Sequence, residues 1–221
     1  MIQPLIHVYF MPGMAASPRI FEHIKLPKDQ FQIHLLEWLI PNSNETIEAY
    51  ASRMLSHVTH NNVVLVGVSF GGIVVQEMSK QIKVRNLIII SSVKTMHELP
   101  KRMRLAKITK AYKLLPTQLV NNMDTLAKYA FGKNVMKRLD LYQKYLSVPD
   151  AKYLNWAIEK VVCWEQENVI PNIIHIHGEN DFVFPIKHIS NCITLKNATH
   201  IMIISKYKWF NANLPRIILE N

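Results

Sequence analysis

Residues 63–75 read VVLVGVSFGGIVV. The first five, VVLVG, are apolar and mostly β-branched, the composition of a strand buried on both faces. From Gly71 to Gln81 the residues suit a helix. Between the two, Gly67-Val68-Ser69-Phe70-Gly71 fits the spacing G-x-S-x-G. A strand that passes into a helix over so few residues must turn tightly. Side chains two positions before or after the serine would clash in that turn, which accounts for Gly67 and Gly71. The turn lifts the Ser69 hydroxyl off the sheet edge. The start of the following helix lies beneath it, where developing negative charge is favoured.

Outward from this stretch, further strands are predicted at 5–10 (LIHVYF), 31–36 (FQIHLL), 86–91 (NLIIIS), 172–177 (NIIHIH) and 193–195 (ITL). Helical stretches separate most of them. Ser17-Pro18 reads as an N-cap and first helical position of a short helix to about Lys25. Ser43 or Asn44 caps a helix to about Val58, and Ile201 to about Asn211 form the closing helix. Strands apolar on both faces, alternating with helices, predict an α/β fold: a mostly parallel sheet of about six strands flanked by helices. Residues 99–164 break the pattern and show no strand. Leu105, Ile108, Tyr112 and Leu115 recur at helical spacing, as do Val135, Leu139, Tyr142 and Leu146, and then Leu154, Ile158 and Val161. Pro116 and Pro149 punctuate these helices. We read 1–95 and 166–221 as one core, with 96–165 inserted as a helical cap that Trp156 and Trp164 anchor to it.

Composition sets the outer bounds. The chain has 221 residues, 49% hydrophobic and 19% charged, which excludes a disordered protein. Two cysteines, Cys163 and Cys192, exclude a disulfide scaffold and a multi-cysteine zinc site, and fit a reduced cytoplasm. The opening MIQPLIHVYF has no basic stretch or cleavage site of a secretory leader, and no apolar run is long enough for membrane insertion. We therefore expect a cytoplasmic protein. The net charge is +10. Residues 94–144 carry nearly all of it, with twelve lysines and arginines against three acids. That block reads first as a solvated helical face, and second as a field that steers an anionic substrate. No nucleic-acid motif accompanies it, so no nucleic-acid partner is expected.

A serine hydroxyl is a weak nucleophile near neutral pH and needs a base. His200, in CITLKNATH after the last strand, is the best placed of ten histidines. The base needs an acid to orient it. Asp181 follows a late strand in HGENDFVFP, with Glu179 two residues away as its rival. An oxyanion needs two backbone N–H donors. Phe70, the residue after the nucleophile, supplies one. Met14, in the loop Pro12-Gly13-Met14, supplies the other, with Ala15 as the alternative. This chemistry calls for no metal and no organic cofactor. His175 and His177 share one strand face, and we read them as packed side chains in preference to a metal pair.

GVSFGG, HGENDFVFP and NATH together resemble α/β-hydrolase fold proteins, over nearly everything outside the cap. The Ser, Asp, His order along the chain is that of this fold. The resemblance implies a serine hydrolase that cleaves a small-molecule carboxylic ester or thioester through an acyl-enzyme on Ser69. The same triad also serves C–C cleavage and acyl transfer, and a non-catalytic ligand-binding protein that keeps the fold is a further alternative. Serine at the elbow argues against dehalogenase and epoxide-hydrolase chemistry, where the fold usually carries an aspartate. Two departures stand out. Met11-Pro12-Gly13 occupies the place of the HG or HGG pair of many members, and Thr199 precedes the histidine where many have glycine. The usual first antiparallel strands are missing, so the chain enters at the strand that feeds the oxyanion loop.

Overall fold

The computed structural model describes residues 4–114, 145 and 150–220. Six strands form one sheet: β1 (Ile6–Met11), β2 (Phe31–Leu35), β3 (Val63–Val68), β4 (Asn86–Ile90), β5 (Ile173–Gly178) and β6 (Ile193–Leu195). Their order is β2-β1-β3-β4-β5-β6, and every neighbouring pair is parallel. Side chains alternate between the faces. Tyr9, Leu65 and Ile89 join one apolar cluster, and Phe10, Val66 and Ile90 join the other. Both clusters are covered by helices, which is why β3 and Leu87–Ile90 of β4 read as unbroken apolar runs.

The first cluster packs against α1 (Ile47–Leu55), α2 (Phe70–Ser79) and α4 (Ala151–Val162). The second packs against α5 (Met202–Ser205) and α6 (Tyr207–Glu220). Another helix among the described residues, α3 (Lys101–Thr109), has no buried residue. Among the described residues no helix is long and apolar enough to cross a membrane.

Local details depart from the sequence reading. The helix expected after Ser17 is one 3-10 turn, Pro18–Phe21, although Ser17 does cap it and accepts from the Arg19 N–H. The cap of α1 is Thr46, which accepts from the Ala49 N–H, and not Ser43 or Asn44. Asn44 instead adopts a positive φ of 55°, which suits the turn before the helix. The closing helix runs past Asn211 to Glu220, because Leu214, Ile217 and Ile218 continue its buried face.

The segment read as a cap is described in part. Val135, Leu139, Tyr142, Leu146, Pro116 and Pro149 lie outside the described residues. Leu105 and Ile108, expected on a packed face, are exposed. In α4, Leu154 and Val161 are buried as the spacing predicts. Trp156 donates its indole N–H to the Glu45 carbonyl at 2.8 Å, and Trp164 donates to Glu77 Oε1 at 2.8 Å. Lys94, counted with the solvated charges, is in fact buried. Its ammonium donates to the Ser190 carbonyl and lies 3.5 Å from Glu98 Oε1, so a partner offsets the cost of burying it.

Candidate active site

A parallel sheet binds ligands beyond the carboxyl ends of its strands, where the winding direction reverses. Here β1 lies between β2 and β3, so the chain winds one way to β2 and the other way from β3 onward. The loops after β1 and β3 meet at that reversal. They carry Gly13-Met14 and Ser69.

Ser69 sits between β3 and α2 with φ 53° and ψ −120°. A non-glycine residue in that region costs about 1–3 kcal/mol, so its surroundings must hold it there. They do so through its backbone. The Ser69 N–H donates to the Ile90 carbonyl at 2.9 Å. The Ser69 carbonyl accepts from the Ser92 hydroxyl at 2.7 Å and from the Gly72 N–H at 2.9 Å. The two elbow glycines are needed for approach. A Cβ on Gly67 would lie 2.6 Å from Gly72 Cα, and one on Gly71 would lie 2.6 Å from the Met11 carbonyl oxygen.

The other two expected residues converge on this serine. His200 Nε2 lies 2.9 Å from Ser69 Oγ, and His200 Nδ1 lies 2.8 Å from Asp181 Oδ2. The Asp181 carboxylate is fully buried, and its other oxygen accepts from the Val183 and Phe184 N–H groups at 2.8 and 3.0 Å. Burial pushes the Asp181 carboxyl up, but the charge and hydrogen bond of His200, His177 and the Phe184 N–H outweigh it and set it below the usual aspartate value. Glu179, the rival acid, is exposed and accepts from the Asn197 N–H.

The loop after β1 lies against the serine. A Cβ on Gly13 would stand 3.5 Å from Ser69 Cβ. Among the described residues no turn, loop or cap hydrogen bond takes up the N–H of Met14 or Phe70. The Ala15 N–H, the alternative donor, is engaged by the buried Tyr153 hydroxyl at 3.2 Å.

Sequence reasoning missed the groups that fix this loop. Trp38 donates its indole N–H to the Gly13 carbonyl at 2.8 Å and stacks on the Phe70 ring at 5.1 Å. Tyr153, from α4, holds Ala15. Arg102, from α3, donates to the Phe182 and Val183 carbonyls, both at 2.9 Å, and so steadies the loop that follows Asp181. No spacing rule connects these positions to the motif; the fold brings them in from distant segments. Trp38 therefore helps to hold the loop after β1 in place. For any ester the site turns over, Trp38→Phe, which keeps an aromatic ring and loses the N–H, is expected to lower kcat about tenfold with KM nearly unchanged, measured by steady-state kinetics.

The β5 histidines are packed side chains. His175 Nε2 lies 3.0 Å from His177 Nδ1, and His177 Nε2 donates to the Phe184 carbonyl at 2.8 Å. Burial first, then the charges of His177 and Lys94, push His175 down to about 2. The unfolded chain binds a proton at His175 below its ordinary value of 6.5, and the native chain does not. Acid therefore favours unfolding. From this residue alone stability is expected to fall by about 2 kcal/mol between about pH 6.5 and pH 5. Denaturant melts across that range should show a flatter fall for His175→Gln.

The chain is similar to solved structures over most of its length. A hydrolase from Pseudomonas aeruginosa PA01 aligns over 97% of this chain and 90% of its own, at TM-score 0.72 and 12% identity. A bromoperoxidase from Bacillus anthracis aligns over 99% and 93%, at TM-score 0.69 and 14% identity. The chain has the α/β-hydrolase fold. The RedJ thioesterase of the prodiginine pathway in Streptomyces coelicolor shares it, over 96% and 90%, at TM-score 0.63 and 12% identity. No family model and no curated protein matches the sequence.

Proposed function

We propose that the protein is a serine hydrolase that cleaves a carboxylic ester or thioester through an acyl-enzyme on Ser69. The observation that carries this reading is the unbroken chain of short contacts from Ser69 Oγ through His200 to Asp181 Oδ2, at 2.9 and 2.8 Å. Ser69 Oγ attacks the acyl carbon while His200 Nε2 accepts its proton. The Met14 and Phe70 N–H groups hold the oxyanion. His200 returns the proton to the departing alcohol or thiol. Water then enters, gives a proton to His200 and releases the acid, restoring Ser69. Asp181 holds the imidazole with Nδ1–H toward itself and stabilises the imidazolium.

Both esters and thioesters pass through the same tetrahedral oxyanion, so one site serves either. A panel of acyl esters and acyl thioesters of graded chain length tests the assignment. The expected result is turnover of at least one series with an initial burst of leaving group about equal to the enzyme concentration. The absence of turnover across both series by folded protein would overturn it. The excess positive charge further favours an anionic substrate. The kcat/KM for an anionic ester is then expected to fall severalfold between about 50 and 500 mM salt, with a neutral ester unaffected. Equal salt responses would remove the anionic preference and leave the hydrolase reading standing.

A further inference from the structure

A second cluster of reactive side chains lies at the other end of the sheet. His7 on β1, His34 on β2 and His60 in the loop before β3 each bring a ring nitrogen within 4.8 Å of the others. His7 Nδ1 lies 3.0 Å from His34 Nε2. The His60 ring stacks on His7 at 3.9 Å and lies 4.6 Å from His34. The strand register explains the meeting. His34 pairs with Tyr9, and His7 stands two residues before Tyr9 on the same strand face. His7 is level with Val63, so about 20 Å of strand separates it from the level of Ser69.

We propose that His7, His34 and His60 form a three-histidine site for a divalent transition metal of the zinc class, which clamps the edge strand β2 to β1 and to the loop leading into β3. Three imidazoles without a carboxylate suit zinc, nickel or copper and do not suit magnesium or calcium. A metal at about 2.0–2.1 Å from each nitrogen needs them about 3.4 Å apart; His7 Nδ1 and His34 Nε2 stand 3.0 Å apart, and all three nitrogens lie within 4.8 Å of one another. An outer partner is also in place. The buried Tyr9 hydroxyl meets His60 Nδ1 at 2.6 Å and accepts from the Thr59 N–H at 3.2 Å, which fixes the His60 ring. Burial, and then the neighbouring imidazoles, hold His7 and His34 below the usual histidine value. Water or a solute oxygen completes the coordination. The metal is structural here, because the site stands apart from the serine, and the inference does not depend on the chemistry at Ser69.

The test uses the full chain without a histidine tag, dialysed against zinc ions, with metal content read by mass spectrometry and melting followed in parallel. The expected result is about one zinc per chain and a zinc-dependent rise in Tm for both wild type and His200→Ala. His34→Ala and His60→Ala should each weaken zinc binding by about tenfold or more and lose the rise. In wild type, nitrogen NMR of the histidine rings should show His7, His34 and His60 shifting with zinc, a readout that needs no variant to fold. No binding, binding that survives both substitutions, or ring shifts confined to His200 would each overturn the proposal.

Discussion

Ser69→Ala is expected to lower kcat for any ester the protein cleaves by about 10⁴–10⁶-fold. The size follows from the geometry. Ser69 Oγ is the group His200 Nε2 meets at 2.9 Å, so its removal leaves the imidazole with no hydroxyl to deprotonate. What survives is the smaller catalysis that oxyanion donors and substrate binding give to water. The backbone of the elbow should hold, because its bonds run through the Ser69 N–H and carbonyl, which alanine keeps. Thermal melting of the variant is therefore expected within a few degrees of wild type. A folded Ser69→Ala protein with activity within tenfold of wild type would place the nucleophile elsewhere.

Asp181→Asn is expected to lower kcat by about 10⁴-fold, with KM little changed. The carboxylate has two separate tasks. Oδ1 accepts from the Val183 and Phe184 N–H groups and shapes the loop. Oδ2 faces His200 Nδ1 at 2.8 Å. Asparagine can keep the first task with its carbonyl oxygen. Its NH₂ then faces His200 Nδ1 and donates to it, which forces the other tautomer. Nε2 would carry the hydrogen and point it at Ser69 Oγ, so the imidazole could no longer accept the serine proton. Loop geometry and activity separate under this substitution, and Asp181→Ala should lose both. Melting curves beside steady-state kinetics on the two variants read the difference.

Much of the fold was legible because parallel strands covered on both faces leave an obvious mark. The run VVLVG and the run LIII at Leu87–Ile90 are apolar throughout, and both lie in the middle of the sheet. The elbow was legible because two close backbone approaches demand glycine at Gly67 and Gly71, and a sequence with six glycines has few to place. Asp181 and His200 were readable from their position after late strands. Three kinds of feature were not readable. Lys94 looked like one more surface cation, because a buried ion pair with Glu98 leaves no mark on spacing. Trp38, Tyr153 and Arg102 act through single contacts across long stretches of chain, and such contacts have no period. The meeting of His7, His34 and His60 depends on strand register and on where one loop returns, and neither is written in local pattern.

The proposed hydrolase chemistry requires Ser69 to be an activated nucleophile. A fluorophosphonate added to the native protein, followed by intact mass and peptide mapping, tests it most directly. One covalent adduct per chain is expected, on Ser69, with none on Ser69→Ala and slow labelling of Asp181→Asn. Folded wild-type protein that takes up no adduct, or takes it up at another residue, would contradict it.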